Sequence, residues 1–178
     1  YVVGSPEVCV KLKPQFLNTG DTMKLEHGQS SGYSAADKLD VAFLRDEDRC
    51  GYVIRAARVP ENPGSYLEEE FYPGTDIKVT DAGRSTSGYE EFTVSNLAPG
   101  RDLVIVRRSF NQPQCVQRVF AGGKEAVKWE VDGKTGFYEE SVRVPGEFIL
   151  NEKERIKIQQ ESKTSYNSFY YWFLQRRN

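Results

Sequence analysis

Chemistry at neutral pH rests most often on histidine, cysteine or paired carboxylates, and this sequence is poor in the first two. His27 is the single histidine in 178 residues. It sits in Glu26-His27-Gly28, at the end of an alternating segment and with no nucleophile elbow around it. It reads as a surface or capping residue, not as the base of a Ser-His-Asp or Cys-His arrangement. Three-histidine zinc sites are excluded outright. The three cysteines, Cys9, Cys50 and Cys115, stand far apart, with no C-x-x-C pair and no neighbouring histidine. That excludes the usual zinc spacings and leaves two states open: one disulfide plus a free thiol, or three buried thiols. No glycine-rich phosphate loop leads into a helix.

Carboxylates are the remaining route to catalysis. Glu68-Glu69-Glu70, Glu90-Glu91 and Glu139-Glu140 all lie in or beside strand-like segments. Glycoside hydrolysis needs two carboxyl groups facing one bond. Adjacent glutamates on a strand point to opposite faces, so only acids from different strands can form that pair. The simpler reading of these runs is solvated faces and edge charges that discourage aggregation. Asp46-Glu47-Asp48 reads as an acidic loop near Asp37 and Asp40, whose oxygens suit a structural Ca²⁺ without EF-hand spacing. No other cofactor is expected.

Aromatic and guanidinium groups are the better candidates. Tyr33, Tyr66, Tyr72, Tyr89, Trp129, Phe137, Tyr138 and Tyr166 fall in or beside turns and strand ends. A flat exposed ring suits the C–H face of a sugar, and a planar guanidinium suits its hydroxyls or a uronate. The expected ligand-binding set is therefore Tyr66, Tyr72 and Tyr138 as stacking rings and Arg107 and Arg108 as donors. Trp129 joins the set, although its alternation with Val127 and Val131 also places it in a core.

The elements that position these residues show a period of two. Val8/Val10/Leu12, Met23/Leu25, Ile77/Val79, Phe92/Val94, Val127/Trp129/Val131, Val142/Val144 and Ile156/Ile158 alternate with polar residues. Each segment thus presents one face to a core and one to water. Tyr52-Val53-Ile54 and Leu103-Val104-Ile105-Val106 are continuous apolar runs, as expected for strands covered on both faces in mid-sheet. Turn signals separate the strands, among them Ala98-Pro99-Gly100, Ala121-Gly122-Gly123-Lys124, Asp132-Gly133 and Pro145-Gly146. Ser34-Ala35-Ala36-Asp37-Lys38 is the one plausible helical turn, and the stretch from Glu147 to Asn178 reads as two strands. About ten strands at this spacing predict an all-β fold, an antiparallel two-sheet β-sandwich of jelly-roll type. Arg58-Val59-Pro60 recurs as Arg143-Val144-Pro145, too short a match to divide the chain. One domain is expected over residues 1–178, with residues 1–7 a linker or mature N-terminus.

With 24 Lys+Arg against 26 Asp+Glu, the chain has no electrostatic claim on nucleic acid. No apolar run long enough to span a membrane is present.

The segment from residue 92 to 174 resembles a jelly-roll accessory module of glycoside hydrolases of the difructose-anhydride synthase and arabinofuranosidase type. The resemblance is carried by Leu103-Val104-Ile105-Val106-Arg107-Arg108 followed by Asn111-Gln112, and by the hairpin Gln117-Arg118-Val119-Phe120-Ala121-Gly122-Gly123-Lys124 with Trp129 after it. Glu140-Ser141-Val142-Arg143-Val144-Pro145 and Asn167-Ser168-Phe169-Tyr170-Tyr171-Trp172 complete it. Two positions depart from the module's pattern, Gly122 and Asn111, where it has aspartates. The resemblance implies a two-layer jelly roll, like that of peptide N-glycosidase F, in a carbohydrate setting. It transfers no catalytic residue.

The resulting expectation is an extracellular or cell-surface module that binds glycan without cutting it. Two other readings stand beside it: a carbohydrate-active enzyme, glycosidase or lyase, with carboxylates in the sandwich cleft, and a protein–protein adaptor or homo-oligomeric assembly domain. A larger parent chain supplying the chemistry fits each of them.

Overall fold

The computed structural model describes residues 25–26, 29–30, 32–56, 64–71, 78–162 and 164–176. In chain order its strands are β1 (Leu25–Glu26), β2 (Gln29–Ser30), β3 (Tyr33–Asp40), β4 (Val53–Arg55), β5 (Gly64–Phe71), β6 (Lys78–Thr86) and β7 (Tyr89–Val94). They continue with β8 (Leu103–Phe110), β9 (Cys115–Ala121), β10 (Lys124–Val131), β11 (Phe137–Val144), β12 (Glu154–Gln160), β13 (Tyr166–Ser168) and β14 (Tyr170–Arg176). A helix, α1 (Leu44–Cys50), follows β3.

Two antiparallel sheets form the sandwich. One has the order β11-β8-β14-β3, the other β10-β9-β12-β7-β4. The chain changes sheet at each of the β7–β8, β8–β9, β10–β11 and β11–β12 connections, so sequence neighbours face one another across the core, as in a jelly roll. β13 runs into β14 through Phe169 and carries a third sheet, β13-β6-β5, at the border of the first. β1 and β2 pair as a short ladder.

The predicted alternation is what builds the core. β12 alternates buried and half-buried residues along its whole length, with Ile156 and Ile158 fully inside. Opposite them stand Leu103, Ile105, Tyr171 and Phe173 of the four-stranded sheet. Burying each such side chain contributes about 1.5–3 kcal/mol. Trp129 is buried in this cluster with Val131. β8 is buried on both faces, as its unbroken apolar run requires. The β9–β10 turn places Gly122 and Gly123 at φ +56° and +81°, the left-handed pair that a tight hairpin demands.

Three expectations are corrected. Ser34-Ala35-Ala36-Asp37-Lys38 is strand, the body of β3, because pairing with β14 outweighs the helix propensity of two alanines. Asp46-Glu47-Asp48 is not a loop but the middle of α1, which ends on Gly51 in the left-handed region. Seven residues are too few to show a helical period, and tertiary pairs hold the helix: Arg49 to Asp37 at 2.7 Å and Arg84 to Glu47 at 2.5 Å. Tyr52-Val53-Ile54 leads into β4, which is half-buried at the edge of its sheet rather than in the middle.

Cys50 and Cys115 are buried free thiols. His27, Cys9, Tyr72, the strand segments before residue 25 and the Arg58-Val59-Pro60 match lie outside the described residues. Among the described residues no helix is long and apolar enough to cross a membrane.

Candidate binding site

β8 and β11 lie side by side in register, so that Arg107 faces Glu140 and Arg108 faces Glu139. Successive residues on a strand alternate sides, which sends one ion pair into the core and the other to the outer face of the sheet. Arg107 is fully buried inside. Its Nε and Nη2 donate to Glu140 Oε1 at 3.0 and 2.5 Å, and its Nη1 to Gln117 Oε1 at 2.9 Å. Trp129 and Tyr166 lie against the guanidinium, their ring centroids 4.5 and 5.1 Å from Cζ. The nearby Glu90, also fully buried, accepts from the hydroxyls of Tyr52, Ser168 and Tyr171, the last at 2.6 Å.

Arg108 holds the outer pair. It donates to Glu139 Oε1 and, through Nη1, to Asp81 Oδ2 on β6, all at 3.1 Å. Asp40 of β3 belongs to the same cluster, within electrostatic reach of Asp81, Asp46, Arg108 and Lys38. Burial raises Glu139 to about 8 and Asp81 to about 6, while burial together with Asp81 and Asp46 raises Asp40 to about 7. The acids outnumber the guanidinium, so the cluster holds protons near neutrality.

Beyond Arg108 the outer face becomes apolar and aromatic. Val104, Val106 and Leu174 are buried there, with Tyr33 and Trp172 packed over them and only half-buried themselves. Trp172 lies against Tyr170 at 4.4 Å between centroids, and Arg108 Cζ is 5.5 Å from its ring. Arg176 sits over Tyr33 at 5.7 Å. Tyr33 is paired with Arg176, four residues along β14 from Trp172, so the backbone positions of the two residues are offset by ~13 Å along the strand. Lys38, Ser141 and Arg143 occupy neighbouring positions on this face. Lys38 is paired with Trp172, Ser141 with Val106, and Arg143 with Val104.

A groove lies at one end of the sandwich. The β8–β9 and β10–β11 connections enclose an open groove of about 670 Å³, lined by Asn111, Gln112, Pro113, Gly133, Lys134 and Thr135.

The expected site residues are dispersed by this geometry. Tyr138 is 7% exposed and Trp129 3%, so neither ring offers a free stacking face. Arg107 and Arg108 are ion-paired rather than presented as donors at the surface. Guanidinium, carboxylate and indole satisfy one another internally. Tyr66 lies in β5 opposite Gly83, its side chain outside the described part, as Tyr72 is altogether. The structure brings Arg107 together with Trp129 and puts Arg108 beneath Trp172, a ring hidden in the sequence within the aromatic run from Phe169 to Leu174. Glu139 and Glu140 are buried partners, not a solvated doublet. Three of the five acids considered for Ca²⁺ are engaged by protein donors: Asp37 by Arg49 and the Ser95 amide, Asp46 by the Asp40 amide, Glu47 by Arg84. Among the described residues no group of three or more acids, histidines or cysteines is arranged to hold a metal ion.

No protein-family model matches the chain, and no curated protein is similar to it in sequence. Solved structures with a similar fold exist. The ANX1 ectodomain from Arabidopsis thaliana superposes with a TM-score of 0.51 at 8% identity, over 94% of this chain and 55% of that ectodomain. A carbohydrate-binding module from Cellvibrio mixtus lichenase 5A, in complex with cellotriose, gives 0.49 at 9% identity, covering 82% of this chain and all of the module. A family 35 carbohydrate-binding module from Clostridium thermocellum gives 0.41 at 15% identity over 68% of this chain and 96% of the module. At these identities the likeness is one of fold, a β-sandwich of jelly-roll type.

Proposed function

We propose that this chain is a non-catalytic, extracellular carbohydrate-binding module that takes an oligosaccharide on the outer face of its four-stranded sheet. The observation that carries the reading is the pair of half-buried rings, Tyr33 and Trp172, on one face over an apolar strip, with Lys38, Ser141 and Arg143 beside them. The ~13 Å offset of their backbone positions along the strand suits several sugar units rather than one. Arg108 is a positioning residue here, fixing the indole from below. Tyr66 and Tyr72 belong to the same proposal as further stacking rings. Each sugar hydroxyl exchanges a good hydrogen bond with water for a similar one, with a net gain of only about 1 kcal/mol, so affinity per site is weak.

Calorimetry of the intact chain against a panel of neutral and acidic oligosaccharides tests this. Binding in the millimolar range or tighter is expected, weakened tenfold or more by Trp172→Ala with the circular dichroism unchanged. No sugar bound at millimolar concentration removes the reading.

A second reading, a carbohydrate-active enzyme, draws on Asp40, Asp81 and Glu139, which come from three strands and are all shifted toward protonation. Their burial around Arg108 argues for a structural cluster. Release of reducing sugar by the wild type, lost in Glu139→Gln, is the result that favours the enzyme.

A further inference from the structure

Building on the sugar-binding reading above, we propose that the outer sheet face selects an acidic oligosaccharide, a linear chain with carboxylates on more than one of its sugars. Each of the two rings has an exposed cation at its side, and the fold brings the four groups together through one irregularity. Tyr33 and Lys38 are five residues apart and would point to opposite faces of a regular strand. In β3, Asp37 pairs with Phe173 while Ala35 already pairs with Leu174, so Ala36 is an extra residue. That bulge resets the alternation and brings Tyr33 and Lys38 to the same face.

Lys38 is then the ladder partner of Trp172, and Arg176 that of Tyr33. The Arg176 guanidinium lies 5.7 Å from the Tyr33 ring. Both cations are exposed, and neither joins an ion pair among the described residues. The acid that acts on Arg176 is Asp102, which is already held by Arg143 and the Gly146 amide. The acid that acts on Lys38 is Asp40, which is buried and raised to about 7. Near about pH 6 Asp40 is mostly protonated and leaves the Lys38 charge uncompensated, whereas a sugar carboxylate is ionised.

Spacing decides between a small anion and a chain. Lys38 stands opposite Trp172, four residues along β14 from Arg176, an offset of ~13 Å between backbone positions. That exceeds the Debye length of about 10 Å at 0.1 M salt, so the two cations act on separate charges. One small anion cannot engage both. Carboxylates on different sugars of one chain can, while C–H faces of the chain lie on the rings. Arg176 suits a carboxylate as a planar fork and Lys38 as a point charge.

Calorimetry of the intact chain at about pH 6 tests this, with cellotetraose and its C6-oxidised counterpart, cellotetrauronate, as ligands. The uronate is expected to bind about three- to thirtyfold tighter at low salt, and to lose most of that advantage at about 0.5 M salt. Lys38→Gln and Arg176→Gln, both at exposed positions, should each cut the uronate-to-neutral ratio about threefold. Trp172→Ala should weaken both ligands. Equal binding of the two tetrasaccharides overturns the acidic preference and leaves the sugar-binding reading standing. A ratio unchanged in both cation variants does the same. Polyglutamate bound as tightly as the uronate also overturns it, since cations alone would then account for the binding. Absence of binding by either tetrasaccharide removes both readings.

Discussion

Arg107 and Glu140 are register partners on adjacent strands, joined by two hydrogen bonds to a single carboxylate oxygen inside the core of the sandwich. One residue along each strand, Arg108 and Glu139 repeat the pairing on the other side of the sheet. Two consecutive arginines and two consecutive glutamates therefore stitch β8 to β11 from both faces. Gln117 and two aromatic rings add contacts to the guanidinium of the inner pair, and Ser109 donates to its carboxylate.

Removing one partner should cost far more than removing both. Glu140→Leu strands a buried guanidinium and is expected to destabilise the fold by about 3–5 kcal/mol. The double variant Arg107→Met/Glu140→Leu should recover most of that loss. Urea unfolding of the two single variants and the double one, read as a double-mutant cycle, measures the coupling.

Stability should fall as pH rises toward mild alkalinity. The folded-state pKa values of Asp40, Asp81 and Glu139 lie above their ordinary values, at about 7, 6 and 8. Groups raised in this way add stability below their unfolded pKa and lose it as pH climbs through the folded one. The urea midpoint is expected to decline between about pH 5 and pH 8. Asp40→Asn, which mimics the protonated acid, should flatten that decline. Below about pH 4 the lowered carboxyl of Asp102, paired with Arg143, works in the opposite sense.

Gly83 is a packing glycine. A Cβ there would stand 2.9 Å from the Phe169 ring and from the Ser168 carbonyl, at the ladder that attaches β6 to β13. Gly83→Ala is expected to cost about 1–3 kcal/mol through overpacking. Hydrogen exchange should show the loss first in β5 and β6, before the sandwich itself opens.

Burial makes the two described thiols inert. It raises Cys50 to about 11 and moves Cys115 in the same direction. The thiolate is the reactive species, so maleimide at pH 7.5 should label neither residue in the native protein and both in urea. Peptide-resolved mass spectrometry checks each one.

The fold was legible from the residues because strand formation is a local signal. Val127, Trp129 and Val131, or Ile156 and Ile158, show which side of a strand is oily, and a sandwich is the simplest way to bury such faces. Leu103 to Val106 announced a doubly covered strand for the same reason. The signal failed where structure depends on partners. Two alanines in β3 suggested a helical turn until pairing with β14 overruled them, and the real helix is too short to show a period.

What the amino-acid order decided by itself was the set of strands, their inward faces and the scarcity of catalytic histidine and cysteine chemistry. What only the tertiary structure decided was which charges meet. Nothing local distinguishes Glu139-Glu140 on a wet face from the same doublet locked to Arg107-Arg108. That outcome depends on the register between strands separated by 26 residues of chain, from Phe110 to Phe137. The same holds for Trp172 and Tyr33, at opposite ends of the sequence and on one sheet face. Alternation is set residue by residue, whereas register and sheet order follow from burying all the apolar faces at once, and it is register that places the polar and aromatic groups.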